Sequence, residues 1–228
     1  MENQTTKITL TLLETIVLLA LNDKGWFGNS EQRIKFGLAG AILFELEQKG
    51  EIEISENLVR IISSKETGDK VLDAAIEVLR KSNKDLTLKR SIFRIVYKSG
   101  LKWKVILKDL VKSNILKVEK YQLLKIFNQD KYPLVNFEVK SLIVGSLYAK
   151  IVEGKELTPN DLILLTIMRT CKMIDKNFLL QEHFLKVRIK IKEITEFKDP
   201  LPESSRKIKA LKEAMEQSIR ASNVSLHL

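Results

Sequence analysis

Cysteine occurs once and histidine twice in the 228 residues, so neither an intramolecular disulfide nor a tetrahedral Cys/His zinc set can be assembled. The lone Cys171 sits among Ile167, Met168 and Ile174 and reads as a small buried hydrophobe in a reducing compartment. Glycine and proline are also sparse, at nine and four, which excludes collagen-like and low-complexity architectures. Neither a Gly-x-x-x-x-Gly-Lys-Ser/Thr loop nor a Gly-x-Gly-x-x-Gly turn occurs, so the backbone phosphate cradles of nucleotide enzymes have no counterpart. His183, between Glu182 and Phe184, finds no nucleophile and orienting group with which to form a triad. Long apolar runs are missing as well. The stretch from Leu10 to Leu21 is interrupted by Thr11, Glu14 and Thr15, short of the roughly 18 residues that a spanning helix needs. It also lacks the basic flank and small-residue cleavage site of a secretory signal. The expectation is a cytoplasmic, non-enzymatic protein with no cofactor and no metal site.

What the chain does carry is helical periodicity. Thr11 with Glu14 three residues on forms a capping-box pattern, followed by Leu12, Leu13, Ile16, Leu19 and Ala20 at helical spacing. A turn-rich loop holding Trp26 and Phe27 leads to a helix through Phe36, Ile42 and Leu46 that stops at Gly50. Ile52-Glu53-Ile54 and Leu58 to Ile62 flank Ser55-Glu56-Asn57 as a hairpin. Helices are expected from Asp69, from about Leu86 to Lys98, and through Trp103, Ile106, Leu107 and Leu110. Further helices run through Val139 to Ile151, from Pro159 to Ile174, from Phe178 to Ile194, and, beyond Pro200 and Pro202, through Ile208, Leu211, Met215 and Ile219. Leu43, Leu46, Gly50, Ile52 and Ile54 recur 64 residues later as Leu107, Leu110, Asn114, Leu116 and Val118. After one inserted residue, Leu58 to Ile62 matches Leu123 to Phe127. Both copies read as a helix followed by a hairpin. The fold class expected is mainly α, one compact helical domain over residues 1–228 with two short β-hairpins.

Charge supplies the functional signal. Lysine and arginine outnumber aspartate and glutamate by 39 to 29, for a net charge of +10, a field that attracts phosphate-bearing partners. From Lys84 to Lys112 nine basic residues face two acidic ones, Asp85 and Asp109. An aromatic loop beside such a face suits an anionic membrane surface, where rings settle at the interface and cations meet head groups. Phosphate contacts are expected from Arg33, Lys35, Arg94, Lys98, Lys102 and Lys104, with Trp26 or Phe27 at the interface. Trp26 reads equally well as a core residue. The alternative is a nucleic-acid-binding, winged-helix-like regulator, since each helix-then-hairpin unit could present a basic recognition helix. Nucleic acid is the less favoured partner.

Several blocks, read in order, resemble the Golgi phosphoprotein 3 family. They are Leu10 to Leu21, Gly37-Leu38-Ala39-Gly40 with Glu45-Leu46 and Lys49 to Ile52, Thr67-Gly68-Asp69 with Leu72-Asp73, Leu110 to Leu116, and Tyr132-Pro133-Leu134. The resemblance covers about residues 8–195 and is nearest a compact prokaryotic-type member. It implies a mostly helical, non-catalytic fold that binds phosphatidylinositol 4-phosphate at the membrane periphery. It further implies binding of the cytosolic tails of membrane proteins and self-association as a homo-oligomer through the second hairpin, Leu116 to Phe127. The family's pocket tryptophan is matched by Trp26 across a gap, with Phe27 the alternative. The arginine of its Gly-Leu-Arg-Gly step is Ala39 here. Its two later arginines fall on Gly100 and Trp103, with Lys102 and Lys104 nearby.

Overall fold

A computed structural model describes residues 9–22, 24–27, 31–63, 65–82, 85–99, 103–123, 127–198 and 200–224. Among them are ten α-helices and five short strands, a mainly α fold with two small antiparallel sheets. Helix α1 (Leu12–Ala20) opens with the capping box expected. The Thr11 amide donates to Glu14 Oε2 at 2.8 Å, and the Glu14 amide donates to Thr11 Oγ1 at 3.1 Å. Every α1 residue except Glu14 is buried, because α2 (Glu31–Gln48), α5 (Trp103–Lys112) and α7 (Pro159–Thr170) pack around it. Helix α2 is buried nearly all round, as a helix apolar on every side must be. Gly37 and Gly40 are its points of closest approach: a Cβ on Gly37 would lie 2.6 Å from Cys171 Sγ, and one on Gly40 2.3 Å from Met215 Sδ.

Strands β1 (Ile52–Ser55) and β2 (Leu58–Ile61) form the first hairpin in the register Ile52↔Ile61 to Ser55↔Leu58, turning through Glu56 at positive φ. A third strand, β3 (Leu86–Thr87), pairs antiparallel with β2, so the helix expected from Leu86 begins two residues later as α4 (Leu88–Lys98). Thr87 ends the strand and also caps that helix, its hydroxyl accepting from the Arg90 amide at 3.3 Å. Asp69 is likewise the N-cap of α3 (Lys70–Arg80), not a member of its first turn. Its carboxylate accepts from the amides of Val71 and Leu72, while Thr67 donates its amide and hydroxyl to Asp73 Oδ1, each at 2.7 Å. The Thr-Gly-Asp step is therefore a helix-starting device.

The second hairpin departs from its repeat partner. Strands β4 (Glu119–Leu123) and β5 (Phe127–Lys131) pair from Glu119↔Lys131 to Leu123↔Phe127, with Leu116 bridging Leu134 at the base. The segment expected as the second strand, Leu123 to Phe127, spans the far end of the hairpin, and residues 124–126 lie outside the described residues. Ile115 and Leu116 are already buried at its foot, and Lys117 and Val118 beyond them are exposed. The inward anchor that Ile52 and Ile54 give the first hairpin is thus used up before the second begins.

The remaining helices are α6 (Phe137–Glu153), closed by Gly154 at φ 69°, then α7, α8 (Ile174–Phe178), α9 (Phe184–Ile194) and α10 (Glu203–Val224). The helix expected from Phe178 to Ile194 begins only at Phe184, and Phe178 instead ends α8. Asn177 Nδ2 donates to the carbonyls of Leu19 and Met173, pinning the end of α8, and His183 takes a left-handed conformation before α9 restarts. Helix α10 packs on α2, α4 and α7 with Ile208, Leu211 and Met215 fully buried. One cluster of buried apolar side chains runs from Leu12 to Ile219. Among the described residues, no helix is long and apolar enough to cross a membrane.

Candidate functional site

The loop before α2 is held by its own backbone chemistry. Asn22 Oδ1 accepts from the amides of Lys24 and Trp26, each at 3.0 Å, and Gly25 sits at φ 79° with the Tyr132 and Pro133 backbone so close that a Cβ would approach within 2.5 Å. The Tyr132 amide donates to Gly25 O at 3.1 Å. The loop is thereby clamped to the base of the second hairpin, and its two rings part company. Trp26 turns to that hairpin, edge-on to Tyr121 at 5.8 Å. Lys24, Trp26, Glu119, Tyr121, Lys131 and Pro133 line a hollow of about 550 Å³ there. Within it Glu119 is gripped by Lys117 at 2.7 Å and Lys131 at 2.6 Å, which lowers its carboxyl to about 2.

Phe27 turns the other way, onto Trp103 in the first turn of α5, with ring centres 4.8 Å apart and a T-shaped angle of 70°. Lys35 Nζ stands 6.0 Å from the centre of the same indole, within the reach of a cation–π contact. Its ammonium is also paired with Glu31 at 2.8 Å. Trp103, expected to face the core, is half-buried and presents this contact at the rim. Lys104, the next residue of α5, is exposed. On α4, Phe93 and Tyr97 stack at 5.7 Å against Phe36, and Gln32 Nε2 donates to the Tyr97 hydroxyl at 2.9 Å. Tyr97 itself is 57% exposed, with Lys98 exposed beside it at the helix end.

The structure thus gathers Phe27 and Lys35 around Trp103, with Lys104 at the same helix start, and scatters the rest. Arg94 is spent on the helix core, its guanidinium donating to Val78 O at 3.2 Å. Arg33 faces Cys171, whose thiol donates to its carbonyl at 3.2 Å, and its positive charge bears on a thiol that burial pushes up to about 12. Lys102 lies outside the described residues, as does Gly100. Ala39 is fully buried, so the arginine contact of the resembled family has no place at that position. Tyr97 and Gln32 were not singled out from sequence, and Trp103 was read only as part of the apolar stripe of its helix. The i, i+4 spacing of Phe93 and Tyr97 marks a ring pair, but not that it ends at solvent.

Among the described residues no three His, Cys, Asp or Glu side chains gather as a metal set. Rings and lysines on a helical rim can receive apolar groups and phosphate oxygens together, which is the chemistry of a docking surface. Helix α2 offers no exposed basic side for a recognition helix, against the winged-helix alternative; α5 does expose Lys104, Lys108 and Lys112. The family model for Golgi phosphoprotein 3 (GPP34) matches residues 12–220, and the chain belongs to that family. The match takes in α10 as far as residue 220, which the sequence resemblance did not reach. Vacuolar protein sorting-associated protein 74 of Schizosaccharomyces pombe is 28% identical over 173 residues, covering 63% of this chain and 50% of that protein. The protein of the same name from Eremothecium gossypii is 32% identical over 100 residues, 39% of this chain and 30% of its own length. The chain therefore spans half or less of these curated relatives.

Proposed function

We propose that this chain is a cytoplasmic, non-catalytic peripheral membrane protein that binds anionic phospholipid head groups, with phosphatidylinositol 4-phosphate as the family's ligand. The observation that carries the reading is the contact of Phe27 and Lys35 on Trp103, in a chain that belongs to the Golgi phosphoprotein 3 family. Rings at a rim suit the interfacial layer, and lysines beside them meet phosphate. Lys35 and Lys104, with Lys98 flanking, stand in for the arginines that Ala39, Gly100 and Trp103 replace, and Lys102, adjacent to Trp103 in the sequence, belongs to the same proposed set. Trp26 belongs to the neighbouring hollow and serves the same surface.

The relatives are named for vacuolar protein sorting, which supports a role as an adaptor for cytosolic tails of membrane proteins. The β4–β5 hairpin, with Val118 and Tyr121 exposed, is the surface for self-association. Residues 1–228 act as one domain, consistent with the single buried cluster. Liposome flotation tests the reading: recovery is expected on anionic but not on neutral vesicles, and equal recovery on both at low salt refutes it. Vesicles bearing phosphatidylinositol 4-phosphate, compared with phosphatidylglycerol at matched charge, separate pocket recognition from general attraction.

A further inference from the structure

Helix α9 is apolar on two opposite sides. Val187 and Ile191 are buried against the body, whereas Leu185 and Ile189, roughly half a turn round the helix, are 69% and 57% exposed. Leu179 and Leu180, in the turn leading into α9, are exposed as well, Leu180 at 96%. A helix with two apolar faces is ordinarily buried on both, so the outer face of α9 calls for an occupant.

Charge decides which one. Arg188 and Lys192 flank the Leu185–Ile189 ridge on one side, and Lys186 with Glu193 lies on the other. Residues 169–193 hold seven basic against three acidic side chains; Lys176 and Lys190 are bonded to backbone carbonyls of the body, which leaves five against three, and Lys192 has Glu196 at 3.7 Å. Arg169, Lys172, Leu185, Arg188 and Ile189 line a hollow of about 750 Å³ beside the ridge. Asp175 is the carboxylate in that hollow, 3.6 Å from Arg188. Such an excess repels a second copy of the same face. The apolar stripe is also only one helical turn long, about 6 Å, because Lys192, Glu193 and Glu196 follow it. That is too short for the i, i+4, i+7 anchors of a helical peptide. A short apolar ridge flanked by cations matches a helix lying in the head-group layer of an anionic bilayer. Lys190, bonded to the carbonyls of Ile151 and Val152 at 3.1 Å, fixes α9 to α6, with Leu185 and Ile189 left exposed among the described residues.

We propose that α9 is a second membrane contact, in which Leu185 and Ile189 enter the head-group layer of an anionic bilayer and Lys172, Arg188 and Lys192 meet its phosphates. It shares the membrane reading above but rests on different residues. The test uses the full chain with an environment-sensitive fluorophore on Leu185→Cys. Native Cys171 is fully buried and does not compete for the label. Glu56→Cys at the tip of the first hairpin is the control. On phosphatidylcholine vesicles containing phosphatidylglycerol, the probe at 185 is expected to shift to the blue while the probe at 56 does not, and neither shifts on phosphatidylcholine alone. Leu185→Ser with Ile189→Ser should weaken vesicle binding about tenfold. If the chain floats with anionic vesicles, the 185 probe stays unshifted and the double variant binds like the parent, the α9 contact is overturned and the Phe27–Trp103 surface stands. Should the double variant change the sedimentation coefficient of the free chain and leave vesicle binding intact, a second copy is the occupant and the proposal falls. Failure of the parent to bind any anionic vesicle overturns both.

Discussion

Glu45 lies on α2, largely withdrawn from water, and burial pushes its carboxyl from 4.5 up to about 7. The nearby Asp69 and, more weakly, Glu14 add to the rise, while Lys49 and the Leu12 amide oppose it. Between pH 4.5 and pH 7 the folded chain holds a proton that the unfolded chain has released. Stability from this group is therefore complete below pH 4.5 and lost as pH rises through 7. A shift of about 2.5 units at 1.36 kcal/mol each corresponds to about 3 kcal/mol across the whole window. Glu45→Gln removes the titration and can still accept from the Leu12 amide. Urea unfolding of parent and variant at pH 5 and pH 8 should show the variant gaining about 2.5 kcal/mol relative to the parent between the two. At about 2–4 °C per kcal/mol for a chain of this size, that is a relative melting shift of about 5–10 °C. An identical difference at both pH values would refute the reasoning, because it would place the carboxyl at its ordinary value and leave burial without electrostatic effect.

Asp69→Asn keeps the cap on α3 but removes the charge facing Glu45, so the Glu45 titration followed by NMR should move towards lower pH; Asp69→Ala should cost about 1–2 kcal/mol through loss of the two capping bonds. Gly37→Ala drives a methyl into Cys171 Sγ at 2.6 Å and Ile167 Cγ2 at 2.9 Å. It should cost about 1–3 kcal/mol in urea unfolding, part of which Cys171→Ala in the same chain restores. Lys35→Glu with Lys104→Glu changes the Trp103 rim by four charges and should weaken binding to anionic vesicles by up to about 4 kcal/mol at low salt, and by less as salt rises. Unchanged flotation of a variant that melts like the parent would remove this rim from the lipid site.

Much of the fold could be read from short spans of chain. Thr11 with Glu14, and Thr158 with Pro159 and Asp161, start α1 and α7 through bonds that close within three residues. Gly154 ends α6 because it reaches φ 69° without strain. The turn at Glu56-Asn57 sets the first hairpin. These signals are local, so they survive without knowledge of what packs where.

Long-range decisions were hidden for the converse reason. Strand β3 exists because β2 is there to pair with Leu86 and Thr87, and the second hairpin slipped past its repeat because Ile115 and Leu116 had already spent the apolar anchor. The divergence of Trp26 and Phe27 follows from the Tyr132–Pro133 backbone closing on Gly25. Arg94 left the expected phosphate set because Val78 O lies across from it. Composition and spacing determined that this chain is basic and mainly helical, and the order of its motif blocks carried the resemblance to its family. Which cations face Trp103, and which apolar face of α9 remains uncovered, was decided only by the elements folded against them, since periodicity names the faces of a helix but not the neighbour that buries one.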